Sequence, residues 1–336
     1  MENSGTASPA AVRRVTLKDV ARAAGVSHQT VSRAINGKGE IDPQTQRRVL
    51  DIARELHYRP SRYARGLVRP EVLTIGLVVP DVVNPFYPEF IAGVIKAAAG
   101  RDWQVVVAST EDDPHRELGL LRSLGRQVDA LVGYLSHSDE DLDPYVAGLP
   151  LVIVDRGADS QAYALVRVGT EVGVRAGLEH LIARGHRHIG MIDCASTCDP
   201  GVRQRTFLDV ARTHRLPVDE GWVVVDEQSV AGGGRGFEAL RTAHPEVTAM
   251  LAFNDIVAIG AFQAARRLGV EVPAECALVG FDGLSIGELL DPPLTTLHLD
   301  KRRLGELAVH QLDQLLAGDL PSPVTLTPQL LVRGTT

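Results

Sequence analysis

Residues 15–36 read Val-Thr-Leu-Lys-Asp-Val-Ala-Arg-Ala-Ala-Gly-Val-Ser-His-Gln-Thr-Val-Ser-Arg-Ala-Ile-Asn. The string spells a helix, a tight turn and a second helix. Thr16 is placed to cap the first helix, and Asp19, three residues on, completes a capping box. Leu17, Val20, Ala21 and Ala24 recur at helical spacing and form its apolar stripe. Gly25 falls where a short turn needs positive φ, which glycine supplies without steric cost. Ser27 is positioned to cap the second helix, in which Val31 and Ile35 lie one turn apart and pack inward. His28, Gln29, Ser32 and Arg33 are left facing outward, an unusual set for a plain solvated face. Small proteins use this unit to place side chains in the DNA major groove, although it also occurs as inert supersecondary structure. A third helix is expected from Asp42 (cap) and Pro43 (first turn) to about His57, with Val49, Ile52, Ala53 and Leu56 packing on the first two.

The charge balance separates this segment from the rest. The chain of 336 residues carries a formal net charge of −7, which looks wrong for a nucleic-acid binder until it is divided. Residues 1–70 hold 13 Lys and Arg against 6 Asp and Glu; residues 71–336 hold 22 against 36. A small basic module joined to an acidic body is implied, and the arginines at 47, 48, 59, 62, 65 and 69 suit phosphate contact. Residues 1–14 are small and polar and are expected to form a disordered tail. Residues 61–70, which include Arg62, Tyr63, Ala64 and Leu67, form a basic linker in which a short helix would be marginal in water.

The string Val-Thr-Leu-Lys-Asp-Val-Ala…Ala-Gly-Val-Ser-x-x-Thr-Val-Ser-Arg-x-Ile-Asn resembles the lac repressor/galactose repressor family. The resemblance implies a helix-turn-helix domain over 15–60 that reads double-stranded, pseudo-palindromic operator DNA. The matching DNA-contacting positions are Thr16, Leu17, Ser27, His28, Gln29, Thr30, Ser32, Arg33 and Asn36. It also implies that residues 61–70 form a hinge that becomes helical on the operator. There Arg62, Tyr63 and Ala64 contact DNA and Leu67 wedges into the minor groove. Ser61 replaces the family's usual Asn, and Gly66 weakens the helix.

From residue 72 the pattern changes. Apolar runs at 73–79, 104–108, 130–134, 151–155, 188–192, 222–225, 248–253 and 276–280 read as buried parallel strands. Amphipathic helical stretches near 87–99, 115–125 and 170–184 lie between them. The alternation predicts a doubly wound α/β body, and the number of strands suits two sheets. The resemblance implies two similar subdomains over 71–336, like those of periplasmic sugar-binding proteins. It places the chain's crossings near 162, 293 and 321.

Ligands of open α/β sheets bind beyond the carboxyl ends of the strands. Here those ends lead to Asn84-Pro-Phe-Tyr87, Asp155-Arg156, Asn254-Asp255 and Phe281-Asp282, while Arg203 opens a predicted helix. Taken singly, each has a structural reading as a helix cap or an ion pair. Carboxylates, an amide, arginines and an aromatic face together suit a polyhydroxylated ring. The resemblance to ribose-type members places effector contacts at Asn84, Phe86, Tyr87, Asp155, Arg156, Arg203, Asn254 and Asp282. The sequence departs from their pattern at Thr206, where a glycine is usual, and at Leu299, often Gln. A sugar-like effector is therefore expected, with a purine or nucleoside as the alternative.

No Walker loop, nucleophile elbow, His-Glu-x-x-His or dinucleotide fingerprint is present, so neither an enzyme nor a cofactor is expected. Gly232-Gly-Gly-Arg-Gly236 reads as a flexible loop rather than a phosphate cradle. Cys194, Cys198 and Cys276 give no disulfide framework, and Cys194-x-x-x-Cys198 lacks metal or redox spacing. Mean hydropathy is +0.01, and no apolar run reaches a membrane span or a signal-peptide core. The expectation is a cytoplasmic homodimer without membrane contact. A bare sugar receptor fits less well, because the N-terminus is basic and lacks an export signal.

Overall fold

The computed structural model describes residues 17–36, 41–55, 72–146, 148–160, 162–194 and 201–336. The expected tail, the linker over 61–70, Thr16 and Cys198 lie outside them. At the N-terminus α1 (Leu17–Ala24), α2 (His28–Asn36) and α3 (Pro43–Glu55) enclose Val20, Ala21, Ala24, Val31, Ala34, Val49 and Ala53. Gly25 turns the chain between the first two helices with φ +64°. The Ser27 hydroxyl accepts from the Thr30 amide at 3.1 Å, and the Asp42 carboxylate accepts from the Thr45 amide at 2.9 Å. Each satisfies an amide that a helix start would otherwise leave unpaired. The side chains of Leu17, Ile35 and Leu56 are outside the described residues.

The body begins with β1 (Thr74–Val79), α4 (Phe86–Ala99), β2 (Gln104–Ser109) and α5 (Pro114–Leu124). It continues through β3 (Ala130–Gly133), α6 (Asp139–Val146), β4 (Leu151–Val154) and β5 (Ala164–Val168). A second round supplies α7 (Thr170–Ala183), β6 (Ile189–Cys194), α8 (Val202–Thr213), β7 (Val223–Asp226) and α9 (Val230–Ala243). It is completed by β8 (Ala249–Ala252), α10 (Asp255–Arg267), β9 (Ala277–Asp282) and β10 (Thr295–His298). The chain closes with α11 (Lys301–Ala317), β11 (Val324–Leu326) and β12 (Gln329–Leu331).

These strands form two six-stranded sheets, ordered β11-β5-β4-β3-β1-β2 and β12-β10-β9-β8-β6-β7. The second order repeats the first with each strand replaced by its counterpart, a symmetry the residues themselves do not display. Pairing is parallel throughout except between β10 and β12. In the first unit, Phe90, Val94 and Ala98 of α4 share a core with Leu304, Ala308 and Leu312 of α11, while α5 and α6 cover the other face. In the second, α9 and α10 cover one face, and α7 and α8 the other.

The chain passes between the sheets after β5, β10 and β11, near 169, 299–300 and 327–328. Each crossing comes later than the expected 162, 293 and 321. The reason is that these three strands, short or interrupted by polar residues, sit at the crossings and not within the apolar runs. The reading of residues 232–236 as a loop is also corrected, since these glycines lie inside α9. A Cβ on Gly233 would stand 2.0 Å from the Val257 carbonyl oxygen, so the bare backbone lets α9 and α10 touch. Gly93 does the same for α4 and α11, where a Cβ would stand 2.2 Å from the Arg302 carbonyl oxygen.

Candidate functional site

Two surfaces carry chemistry. On α2, His28, Gln29 and Arg33 are exposed, and Gln29 and Arg33 lie one turn apart on the same face. Ser27 and Thr30 are occupied with each other, their hydroxyl oxygens 2.9 Å apart, in addition to the cap. The side chains of Leu17, Ser32 and Asn36 are outside the described residues, as are Thr16, Arg62, Tyr63, Ala64 and Leu67 entirely.

The second surface is a cleft of about 390 Å³ between the two units, where the carboxyl ends of both sheets face each other. Asn84, Phe86, Tyr87 and Asp155 line it from the first unit, and Arg203, Asn254 and Asp282 from the second. The local structure explains why each is there. Asn84 follows β1, and its side-chain oxygen accepts from the Phe86 amide at 3.0 Å, starting α4. Phe86, Tyr87 and Tyr134 meet edge to face, with Tyr87 and Tyr134 centroids 5.4 Å apart, and make the apolar wall. Asn254 caps α10 by accepting from the Val257 amide at 3.0 Å. Its side-chain nitrogen is buried without a hydrogen-bond partner among the described residues. The Arg203 guanidinium lies 4.1 Å from the Phe253 ring centroid and 4.8 Å from that of Phe281. Its Nε is likewise buried without a hydrogen-bond partner among the described residues.

Asp112, Asp155, Glu227 and Asp282 line the cleft, and Asp193 and Asp255 are buried outside its lining. Burial raises the Asp282 carboxyl well above the ordinary carboxylate range; neighbouring Asp255 adds to the shift, and Arg203 and Lys301 oppose it. Asp255 is fully buried and is pushed up to about 6 by desolvation. Hydrogen bonds from the Thr296 hydroxyl and the Leu284 amide, both at 2.6 Å, moderate that rise. Asp112 and Asp193 are raised mainly by burial as well.

Arg156 is not part of this cleft. Its side chain is buried, with Nη1 donating to Asp139 Oδ1 at 2.5 Å and Nη2 donating to the His137 carbonyl. Asp155 lies just past β4 with φ +56°, and with its side chain in the cleft the chain carries Arg156 back toward α6. Its contacts are those of a structural ion pair. Asp112, Tyr134, Glu227 and Gln228 line the cleft without having been singled out in the sequence. The strand-end rule reaches them too, because Asp112 follows β2, Tyr134 follows β3, and Glu227-Gln228 follows β7. Leu299 also lines it, so a polar group common in ribose-type relatives is replaced by an apolar one.

Residues 16–61 match the bacterial regulatory proteins of the lacI family, and residues 178–336 match the periplasmic binding protein-like domain. The HTH-type transcriptional repressor PurR of Aliivibrio fischeri is 33% identical over 305 residues, covering 88% of this chain and 89% of that protein. The chain belongs to the lacI family. The ribose operon repressor of Haemophilus influenzae is 32% identical over 304 residues, covering 89% of this chain and 91% of the relative. Among solved structures, the lac repressor dimer bound to operator and the anti-inducer ONPF superposes with a TM-score of 0.72 at 27% identity. That likeness covers 96% of this chain and 99% of the repressor. These relatives of the lacI-family chain are transcriptional repressors by name. Among the described residues no helix is long and apolar enough to cross a membrane, and no group of His, Cys, Asp and Glu is arranged to hold a metal ion.

Proposed function

We propose that this lacI-family chain is a transcriptional regulator that binds operator DNA as a homodimer and changes its operator affinity when a small sugar-like effector enters the cleft. His28 and Gln29 read base edges, and Arg33 takes a guanine edge or a phosphate. The observation that carries the reading is that the cleft is lined from both units. A ligand touching Asn84 and Asp155 on one side and Arg203 and Asp282 on the other favours one arrangement of the units over another. Release of DNA by the effector is the sign we assign. Action on DNA places the protein in the cytoplasm, and no catalytic role is assigned.

A purine or nucleoside is the second reading. The likeness to PurR and the aromatic wall of Phe86, Tyr87 and Tyr134 favour it.

The deciding experiment is a thermal-shift screen against pentoses, hexoses, nucleosides and purine bases, repeated with Asp282→Ala and followed by operator binding. A stabilising hit that Asp282→Ala abolishes, and that alters operator affinity, is expected. Hits indifferent to Asp282→Ala would remove the cleft from the mechanism. On the DNA side, His28→Ala should cost about 1–3 kcal/mol at one operator base pair while leaving the others unchanged.

A further inference from the structure

We propose that the cleft is built for an uncharged polyhydroxylated effector and rejects the phosphate ester of the same molecule. This inference rests on the effector reading above and narrows it. Charge is the first ground. Asp112, Asp155, Glu227 and Asp282 line the cleft, and Arg203 is the single lysine or arginine among its described lining residues. Arg203 is already engaged, lying over the faces of Phe253 and Phe281 and close enough to the buried Asp193 to oppose the rise that burial imposes on its carboxyl. A phosphate entering here would meet four carboxyl groups, each of which repels it unless protonated, and one partly satisfied cation.

The second ground is that the usual backbone cradle for an anion is filled from within at most of the helix starts around the cleft. Helix starts hold phosphates through free first-turn amides. Seven helices begin beside residues that line it, and five of them close a first-turn amide with a side chain, α5 through Asp113 and α11 through Asp300 among them. Asn84 takes the Phe86 amide at the start of α4, and Asn254 takes the Val257 amide at the start of α10. Ser229, which follows Gln228, takes the Gly232 amide at 3.0 Å at the start of α9. Helices α7 and α8 begin at Gly169 and Gly201 without a side-chain cap among the described residues, and the second of them carries Arg203.

The third ground is the chemistry left unsatisfied. Among the described residues, Asn254 Nδ2 and Arg203 Nε, both on residues that line the cleft, are buried donors without partners. A hydroxyl both donates and accepts, so a polyol can answer donors of this kind and the cleft carboxylates together. A phosphate dianion only accepts, and would leave those carboxylates facing its oxygens.

The test is calorimetric titration of the full-length protein with matched pairs: ribose and ribose 5-phosphate, glucose and glucose 6-phosphate, fructose and fructose 6-phosphate, adenosine and AMP. For any parent that binds, the ester should bind at least about 30-fold more weakly. Asp155→Asn, which keeps a residue tolerant of the positive φ there, should narrow that gap severalfold. An ester that binds as tightly as its parent overturns the inference, and so does a gap that Asp155→Asn leaves unchanged. If no parent binds, the sugar and nucleoside readings fail, and millimolar inorganic phosphate decides the charge argument alone. Absence of saturable stabilisation upholds it; stabilisation that Arg203→Ala abolishes overturns it.

Discussion

The ammonium of Lys301 donates to the main-chain carbonyl of Asp282 at 2.8 Å, so a cation on α11 holds the backbone of a cleft carboxylate. Lys301 also reaches the carbonyls of Gly283 at 3.2 Å and Leu299 at 3.3 Å, and only 1% of it is exposed. It opens α11, where the helix dipole disfavours a cation. The turn it grips explains its presence. Asp282 and Gly283 both have positive φ, at +103° and +69°, and their carbonyls converge on one point. Helix α11 packs in the first unit and β9 belongs to the second, so this contact joins the two across a crossing segment. Lys301→Met leaves buried carbonyls unpaired and should cost about 3 kcal/mol in urea unfolding. It should also loosen Asp282 and weaken effector binding. A variant that lost stability but kept effector affinity would show that Lys301 supports the fold without positioning the site.

Arg156 gives the opposite expectation. Its partners are Asp139 and the His137 carbonyl, and Asp139 also accepts from the Ser160 hydroxyl at 2.6 Å. Removing the buried guanidinium leaves the half-buried Asp139 carboxylate and the His137 carbonyl without their donor. Arg156→Met should therefore lower stability by about 3 kcal/mol. Effector affinity should stay within about twofold, because none of its contacts opens on the cleft. A large loss of affinity at unchanged stability would return Arg156 to the binding site.

The contrast between Asp155 and Arg156 marks how far the residues alone carry the site. Strand ends are legible because apolar runs such as Leu151–Val154 stop abruptly at polar residues, and the fold directs those ends toward ligand. Which of two adjacent polar residues faces the cleft depends on one dihedral, here φ +56° at Asp155, that the residue types do not dictate. The missed strands have a similar cause. β10 reads Thr-Thr-Leu-His, yet Thr295 and Thr296 are fully buried because their hydroxyls bond to Thr336 and Asp255. Polarity signals exposure only until a tertiary partner is found. The glycines of α9 misled for the same reason. A run of Gly weakens a helix locally, and here a second helix pressed against it outweighs that preference.

That helix contact can be measured. Gly233→Ala places a Cβ 2.0 Å from the Val257 carbonyl oxygen, a backbone atom that moves only if α9 and α10 separate. A loss of about 1–3 kcal/mol is expected. Gly119 in α5 is the internal control, since a Cβ there meets nothing within 4 Å. Gly119→Ala should raise stability by about 0.5–1 kcal/mol through helix propensity alone. Thermal melts of the two variants should therefore move in opposite directions. Equal shifts would mean that helix propensity and not close packing governs both sites.

The buried carboxyl of Asp255 sets a pH dependence whose sign follows from its raised value of about 6 against an ordinary 3.8. Between those values the folded protein holds a proton that the unfolded chain has released. Below that window both states are protonated and Asp255 contributes nothing. As pH rises through it, the unfolded state gains the advantage and stability falls, levelling off above the folded value. Asp282 and Asp193 are raised too, so they push in the same direction. Urea unfolding at about pH 5 and about pH 7 should show the protein less stable at the higher pH, with about 1 kcal/mol of the difference due to Asp255. Asp255→Asn keeps an oxygen for the Leu284 amide and can offer its nitrogen to the Thr296 oxygen, so it should remove that share of the slope without unfolding the protein. A slope unchanged in Asp255→Asn would mean that the charge is satisfied in the folded state, with the hydrogen bonds from Thr296 and Leu284 outweighing desolvation.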